Sequence, residues 1–356
     1  MAEHPGPVVV IGELLVDIVH TPDGQTAEHV GGSPANVALG LARLGHDTWF
    51  ATLVGTDARG IRCVEHVESG GVKLLPGSTD PAHPTSTAAA TIDASGAATY
   101  VFDLHWDLPA VQLPPGTGHL HIGSIGTTMT PGDEEVTAAV HRARAAGTVS
   151  YDPNMRPTIM GSADAVRPRV EELVALSDVV KCSEDDIEWL YPGESASQVM
   201  ARWAGLGAAL TVVTLGADGV SWRAASGDEE REPARASSVV DTVGAGDSFM
   251  AGLGAALTVV TLGPRGVTWR AASGDEASEP AQDIDVVDTV GAGDSFMAGL
   301  VSGLLDDGLL GSTEARERLR AAGLAEVRAA VHRALATSGL TVRRAGAYAP
   351  TREEIR

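Results

Sequence analysis

The sequence lacks several features that mark common classes of protein. Its two cysteines, Cys63 and Cys182, are too few for a disulfide framework and do not have metal-ligand spacing. It has no signal peptide and no run of about 18 apolar residues, so we expect no insertion into a membrane. Together these absences favour a protein of the reducing cytoplasm.

Positive charge is also scarce. The formal net charge is −22, and Lys73 and Lys181 are the only lysines beside 23 arginines. Nucleic acids and anionic membranes are bound by basic patches, so we expect neither as a partner. A polyphosphate ligand would need a local positive field from helix N-termini, backbone N–H groups, arginine or a metal ion.

Two common nucleotide-binding motifs are missing. The sequence contains no G-x-x-x-x-G-K-[ST], which excludes a P-loop protein. The first apolar strand is followed by "GELLVD", which does not have the G-x-G-x-x-G pattern of dinucleotide-binding folds. Any nucleotide chemistry must therefore depend on another arrangement.

Only 4% of the residues are aromatic, so Val, Leu and Ala must fill the core. "PVVVIGELLVDIV" predicts two strands, and "GGSPANVALGLARLG" (31–45) predicts a helix with Ser33 as N-cap, Pro34 at the first helical position and Gly45 at the end. Strands that alternate with helices indicate an α/β fold with a mainly parallel sheet covered on both faces. Ligands of such sheets bind beyond the carboxyl ends of the strands.

A further segment alternates between apolar and polar residues. Residues 85–103 predict a half-buried β-hairpin with its turn at 94–96, which would serve as a cover or lid. Trp106 beside it has three open interpretations: it stacks on a sugar, fills the core or contacts a second subunit. His119 and His121 lie two apart on a predicted strand without further ligands nearby, which favours a structural role over zinc binding.

The stretch "DTVGAGDSFMAGL" occurs twice, within a repeat that spans 207–253 and 254–300 and differs at nine positions. Stable solenoids need at least three repeats, so we interpret the repeat as a partial duplication within one domain over 1–356. Without one copy the chain would have 309 residues, which suits a single α/β enzyme.

The repeated stretch itself suggests chemistry. Its Gly-Ala-Gly segment follows an apolar strand and precedes an apolar helix, so successive N–H groups at the helix N-terminus would bind an anion. The next residue is Asp, which would accept a proton from an attacking hydroxyl in a phosphoryl transfer. The alternative is that this Asp only complements the helix dipole.

The chain resembles the ribokinase-like (PfkB) sugar kinases, and among them bacterial fructokinases. Four motifs carry the resemblance in the family's order, and they are "GELLVD" (12–17), "GGSPANVALGLARLG" (31–45), "YDPNMRP" (151–157) and "DTVGAGDSF". "VGTDARG" (54–60), "VTLGADG" (213–219) and "GAYAPTREEI" (346–355) also fit. The likeness covers the whole chain except one copy of the repeat.

The resemblance implies a three-layer α/β/α domain with a small β-lid near 14–32 and 85–103. It implies ATP-dependent phosphorylation of a sugar hydroxyl with Mg²⁺, often aided by a monovalent cation such as K⁺, and possible dimerisation through the lid. Fructose is the expected substrate, with 2-keto-3-deoxygluconate and ribose as alternatives. An alternative of another class is an inactive sugar- or nucleotide-binding protein whose active loop the duplication has displaced.

The resemblance also assigns residues. Asp17, Gly32 and Asn36 match sugar-binding positions. Arg156 either contacts the substrate or a phosphate, or pairs with Asp152. The cofactor-binding positions are Thr214, Gly216, Gly219 and Ser183. Asp186 stands where the family has a glutamate that positions Mg²⁺, usually through water; alternatively it belongs to a capping box that opens a helix.

Of the two "GAGD" loops, the second runs directly into the C-terminal helices that the family needs. We therefore expect Gly291, Ala292 and Gly293 to bind the developing charge and Asp294 to be the base, with Asp247 as its inactive counterpart. The first "TVVTLG" directly follows a predicted helix at 196–204. The expected site is thus a hybrid, with this strand from the first copy and the catalytic loop from the second.

Overall fold

A parallel sheet of six strands forms the centre of the computed structural model. In spatial order these strands are β12 (Val179–Val180), β11 (Thr148–Asp152), β10 (His119–Gly123), β1 (Val8–Ile11), β4 (Thr48–Ala51) and β6 (Lys73–Leu74). Every neighbouring pair is parallel, and Val8 is in register with His119 on one side and Thr48 on the other. The mainly parallel sheet that the sequence predicts is confirmed.

The structure describes residues 6–92, 98–180, 182, 184–206, 210–214, 220–224, 229–232, 257–261, 267–271, 276–279, 290–322 and 324–355. Ser183, Gly216, Gly219, Asp247 and the turn predicted at 94–96 lie outside these residues.

Helices cover both faces of the sheet. They are α1 (Ser33–Arg43), α2 (Ala58–Ser69), α3 (Gly132–Arg144), α4 (Pro157–Met160), α5 (Ala163–Leu176), α6 (Glu184–Leu190), α7 (Ala196–Gly205), α8 (Ala292–Asp306), α9 (Thr313–Ala321) and α10 (Leu324–Thr341). A short 3₁₀ helix spans Ile125–Thr127. Among the described residues, no helix has the length and apolar character that crossing a membrane requires.

The alternation of side chains along β1 divides the core into two. Val8 and Val10 pack with residues of α1, α8 and α10, whereas Val9 and Ile11 pack with residues of α3, α5 and α7. Because successive side chains of a strand point to opposite faces, one buried strand supplies both cores. The result is the three-layer α/β/α architecture that the sequence predicts.

Small residues bring the helices of one face close together. A Cβ atom on Gly40 of α1 would lie 2.6 Å from the Cβ of Ala298 on α8, and one on Gly303 of α8 would lie 2.4 Å from the Cα of Ala330 on α10. Glycine is therefore required at both crossings. This close packing fixes the N-terminal end of α8 relative to that of α1.

A second, four-stranded sheet lies outside the three layers. Its order is β3 (Thr26–Gly31), β2 (Leu15–His20), β8 (Thr87–Ile92) and β9 (Ala98–Asp103). Strands β8 and β9 are antiparallel and close with Ile92 opposite Ala98, so the predicted hairpin is confirmed. A two-stranded parallel pair, β5 (Val54–Gly55) with β7 (Thr79–Asp80), completes this region.

Each copy of the repeat contains an antiparallel three-stranded meander. The first consists of β13 (Leu210–Thr214), β14 (Val220–Ala224) and β15 (Glu229–Glu232), and the second of β16 (Leu257–Thr261), β17 (Val267–Ala271) and β18 (Glu276–Glu279). The registers correspond, with Leu210 opposite Ala224 and Leu257 opposite Ala271. Strand β13 lies near α7 and beside β16, so residues 211–214 of the first "TVVTLG" form the predicted strand after its helix.

Three residues have the structural roles that the sequence left open. The ring nitrogens of His119 bond the hydroxyls of Thr148 and Ser150 at 2.8 and 2.9 Å, and His121 Nδ1 bonds the same Ser150 hydroxyl at 2.9 Å. Trp106 is buried and its Nε1 donates to the carbonyl of Gly126 at 2.9 Å. Trp106 is therefore packed as a core residue, and the interpretation that it stacks on a sugar stays a prediction.

One predicted helix boundary is also wrong by one residue. Gly32, not Ser33, is the N-cap of α1, and Ser33 is the first helical residue, so Pro34 takes the second position. The Ser33 hydroxyl makes no cap because it donates to a carboxylate of α8. A tertiary contact has taken the place of the local one.

Candidate active site

The candidate site lies beyond the carboxyl ends of the parallel strands. Strands β1 and β10 are neighbours there, and the chain connections run in opposite directions from this point of the sheet, which opens a crevice. Ser124, just after β10, and Asn154, just after β11, have positive φ angles of 57° and 40°. Such strained backbone in non-glycine residues is concentrated at functional sites.

The N-terminus of α8 faces this region. Its N-cap, Gly291, has a φ of 73°, and a Cβ there would lie 2.5 Å from the Cβ of Ala347, so glycine is required. The N–H groups of the first helical turn have no carbonyl within the helix to accept them. Ala292 and Gly293 begin the helix, so this end can bind an anion as the sequence predicts.

Asp294 lies in the first turn of α8 and is held by two residues of α1. The Ser33 hydroxyl donates to Asp294 Oδ1, and the Asn36 side-chain amide donates to Oδ2, both at 2.8 Å. These hydrogen bonds join positions more than 250 residues apart and fix the plane of the carboxylate. Asn36 therefore binds Asp294, the expected base. The contact of Asn36 with a sugar stays a prediction.

Asp17 lies in the outer sheet, opposite His29 of β3. A Cβ on Gly31 would lie 2.0 Å from Asp17 Oδ2, so the carboxylate packs directly on glycine backbone. Burial raises the pKa of Asp17, and the charges of His29 and Arg156 oppose that rise. A half-buried carboxylate in this position can accept several hydroxyl groups of a ligand.

Gly32 connects the two parts of the site. Its φ is 113°, and a Cβ there would lie 2.4 Å from the carbonyl oxygen of Glu13. Glycine therefore lets the start of α1 pack on the residue that follows β1. This contact places Ser33 and Asn36 beside the carboxyl end of the central strand.

Glu13 is a candidate residue that the sequence argument missed. It is 8% exposed, and among the described residues its Oε2 has no hydrogen-bond partner. Burial raises the pKa of Glu13 to about 7, although a hydrogen bond from Ser124 and the charge of Arg156 lower it. The signal was present in the sequence: an acid between two apolar strands, in the quoted "GELLVD".

Glu13 also lines a small cavity between the central sheet and the outer sheet. The other polar lining groups come from Ser86 and His105, and apolar lining includes Leu14, Trp106 and Ile125. A buried acid with an unpartnered oxygen is costly unless a ligand or water satisfies it. Glu13 is therefore a candidate for binding a polar ligand.

Arg156 lies within electrostatic reach of both acids, because its charge lowers the pKa of Glu13 and of Asp17. Its Nη1 donates to Asn154 Oδ1 at 2.6 Å. The guanidinium is half-buried at the end of β11, so an anionic or hydroxyl-rich ligand in the crevice can reach it. The observed partner is Asn154, and the contacts with a ligand or with Asp152 that the sequence suggested stay predictions.

Asp186 is buried on α6, where its Oδ1 accepts the backbone N–H of Met155 at 2.7 Å. This bond holds the loop that carries Asn154 and Arg156. A carboxylate can accept more than one bond, so the residue also fits the indirect contact through water that Mg²⁺ favours. Of the expected cofactor positions, only Thr214 lies in the described residues, at the end of β13.

This chain is similar to known proteins in sequence and in structure. The profile of the pfkB family carbohydrate kinases matches residues 7–258 and again 253–354, and the second match begins at the border between the two copies of the repeat. A fructokinase from Klebsiella pneumoniae is 35% identical over 259 residues, which cover 69% of this chain and 82% of that protein.

Two solved structures share the fold. Fructokinase from Xylella fastidiosa with bound ATP has a TM-score of 0.71 at 22% identity, covering 98% of this chain and 96% of that one. A double mutant of fructokinase from Vibrio cholerae O395, bound to fructose, ADP and a potassium ion, has a TM-score of 0.67 at 24% identity, covering 100% and 98%.

Proposed function

The chain belongs to the pfkB family of carbohydrate kinases, and on that premise we propose that it phosphorylates fructose with ATP, using Asp294 as the general base. The observation that supports this most is the pair of hydrogen bonds from Ser33 and Asn36 to the two oxygens of Asp294. They join the second and the fourth motif of the family resemblance in one place. The substrate is proposed from the fructokinase relative.

In the proposed reaction, Asp294 accepts the proton of the attacking sugar hydroxyl as that oxygen bonds to the γ-phosphorus of ATP. The bond from the γ-phosphorus to the bridging oxygen breaks, and ADP leaves with that oxygen. Ser33 and Asn36 keep its carboxylate in one orientation. The N–H groups at Gly291, Ala292 and Gly293 would stabilise negative charge on the transferred phosphoryl group. Mg²⁺ supplies further neutralisation of phosphate charge when bound, and Asp186 would hold it through water.

The sugar would bind between the outer sheet and the carboxyl end of β1. Asp17 and Glu13 offer oxygens that accept hydroxyl groups, and Arg156 offers donors beside them. Because Gly32 has no side chain, the backbone at the start of α1 would be accessible to the sugar. Glu13 is included among the proposed sugar-binding residues because a sugar hydroxyl would donate to its Oε2, which has no partner among the described residues.

The nucleotide would bind on the side of the loop that follows β13. Thr214, Gly216, Gly219 and Ser183 are the proposed contacts, on the family resemblance. We propose a single kinase domain over 1–356 in which the outer sheet acts as the lid, with K⁺ as an activating ion and the lid as the surface of a homodimer. The potassium ion bound in the fructokinase from Vibrio cholerae O395 supports the choice of ion.

The test is ADP release by the purified chain with ATP and Mg²⁺ on a panel of sugars. We expect the highest kcat/KM with D-fructose, and lower values with D-ribose and 2-keto-3-deoxygluconate. A higher kcat/KM with either of these two would replace fructose as the substrate. Tight ATP binding without ADP release on any sugar would contradict the kinase and favour an inactive binding protein.

A further inference from the structure

Three side chains with metal-ligating atoms meet at the edge of the outer sheet, away from Asp294. They are Asp80 at the end of β7, His83 in the loop that follows, and His105 just after β9. One ligand atom from each lies within 4.8 Å of the other two. Asp80 Oδ2 is 2.6 Å from His83 Nδ1 and 3.6 Å from His105 Nε2.

The chain holds each of these groups in place. Asp80 Oδ1 accepts the backbone N–H of Ala82 at 2.7 Å, which turns Oδ2 toward the two imidazoles. The backbone N–H of His105 donates to the Ser86 hydroxyl oxygen at 3.1 Å. The two imidazole rings stack with their centroids 3.5 Å apart and an angle of 20° between their planes. The cluster is therefore organised before any ion arrives.

We propose that Asp80, His83 and His105 form a binding site for a divalent transition-metal ion of the Zn²⁺ class. Two imidazole nitrogens and one carboxylate oxygen are ligands that Zn²⁺ accepts, and water would complete the tetrahedron because His83 is exposed. Zinc bonds to nitrogen and oxygen of about 2.0–2.2 Å place tetrahedral ligands roughly 3.4 Å apart. The 3.6 Å separation of Asp80 Oδ2 and His105 Nε2 is close to that value.

Binding needs two local changes. One of the stacked imidazole rings must tilt, because the nitrogen lone pairs of two nearly parallel rings cannot both point at one ion. The hydrogen bond between His83 Nδ1 and Asp80 Oδ2 must open by under about an ångström, as the ion takes the place of the shared proton. That proton moves through the solvent to Nε2 of the same imidazole, so the ring stays neutral as the ion binds. Mg²⁺ would not compete, because this hard ion prefers oxygen ligands in octahedral geometry.

An ion at this site would tie two parts of the chain together. Asp80 and His83 belong to the segment after β7, and His105 follows the last strand of the outer sheet. His105 also lines the cavity that contains Glu13. The bound ion would hold this end of the hairpin against the neighbouring loop.

The experiment is isothermal titration calorimetry of the full chain, without a histidine tag, with ZnCl₂. The variants are His83→Ala and Asp80→Asn, and His66→Ala on α2 is the matched control, because His66 is also an exposed histidine. We expect one site in the parent, at least about tenfold weaker binding in His83→Ala and Asp80→Asn, and unchanged binding in His66→Ala.

Two further readouts do not depend on heat alone. Co²⁺ bound in the same site should give a visible absorption band that His83→Ala abolishes, and Mg²⁺ in excess over Zn²⁺ should leave Zn²⁺ binding unchanged. Circular dichroism checks that each variant is folded. Absence of binding in the parent, or the same affinity in His83→Ala and His66→Ala, would overturn the proposal.

Discussion

The two copies of the repeat differ at only nine positions. The elements that follow the two copies in the chain are nevertheless different. Both contain a three-stranded meander with corresponding register. The second copy then continues into α8, whose 15 residues pack against α1 and α10. After the first copy, the counterparts of Leu304, Leu305 and Asp306 are residues 257–259, and these belong to β16 of the second copy.

The difference shows that the "GAGD" motif depends on the residues that follow it, which must form a helix, as well as on its own residues. Leu304 and Leu305 are buried in the core that α8 shares with α1 and α10. This packing holds Asp294 beside Ser33 and Asn36. The first copy cannot supply the whole of such a helix, because its last turn is already a strand of the second copy. We therefore propose that only the second "GAGD" loop works.

The largest effect is expected where the copies differ most in function. Asp294→Asn removes the proposed base, and we expect kcat to fall by about 10²–10⁴-fold. Asp247→Asn is the matched control and should retain kcat within about twofold, which is our working limit for no effect. Steady-state ADP release with fructose measures both. The reverse pattern would assign the site to the first copy.

The second prediction changes a group that neither copy contributes. Glu13 has a pKa of about 7 in the folded protein, above its ordinary 4.5, so the folded state holds the proton more tightly. The stability that this provides is fully present below pH 4.5 and is lost as the pH rises through 7. The glutamine side chain of the Glu13→Gln variant cannot ionise, so this variant should not lose stability in that way as the pH rises.

The measurement is urea unfolding of both chains at pH 5 and pH 8. The free energy of unfolding of Glu13→Gln relative to the parent should rise between these values by about 1–3 kcal/mol. Groups common to both chains cancel in this difference. A difference that does not change with pH would mean that Glu13 has an ordinary pKa in the folded protein.

The third prediction tests the contact that selects the second copy. Asn36→Ala removes the donor to Asp294 Oδ2, and losing a hydrogen bond to a charged group should lower kcat by roughly 10–100-fold. The same substitution should have little further effect in an Asp294→Asn background and its full effect in an Asp247→Asn background. Equal effects in both backgrounds would show that Asn36 does not act through Asp294.

The smallest effect concerns the backbone. Gly291→Ala introduces a Cβ at a positive φ and 2.5 Å from Ala347, so the free energy of unfolding should fall by about 1–2 kcal/mol. We also expect a lower kcat, since the N–H groups of the anion site would shift. Gly244→Ala, the same change in the first copy, should leave kcat unchanged. A loss of kcat in Gly244→Ala would show that the first loop contributes.

Sequence alone predicts the layers because periodicity reports burial. Val8 to Ile11 form a continuous apolar run, and the structure divides it between two cores. The hairpin of β8 and β9 follows from its alternation in the same way. These features depend on neighbours along the chain, which a sequence displays directly.

The site was predicted less completely, because its contacts are distant in the chain. The bonds from Ser33 and Asn36 to Asp294 cross more than 250 residues, and no local pattern indicates them. The capping preference of serine pointed instead to a local bond. Glu13 was missed because an acid in a short motif does not reveal that the fold buries it. The metal cluster likewise unites two segments that lie apart in the sequence.

The most direct test of the account compares Asp294→Asn with the double variant Asp247→Asn/Asp294→Asn. If the copies can exchange places, Asp247 will support the residual turnover of the single variant. We predict equal kcat for the two variants with fructose, ATP and Mg²⁺, because the first loop takes no part. A further fall of about tenfold or more in the double variant, equivalent to 1.4 kcal/mol, would contradict the claim that only the second copy works.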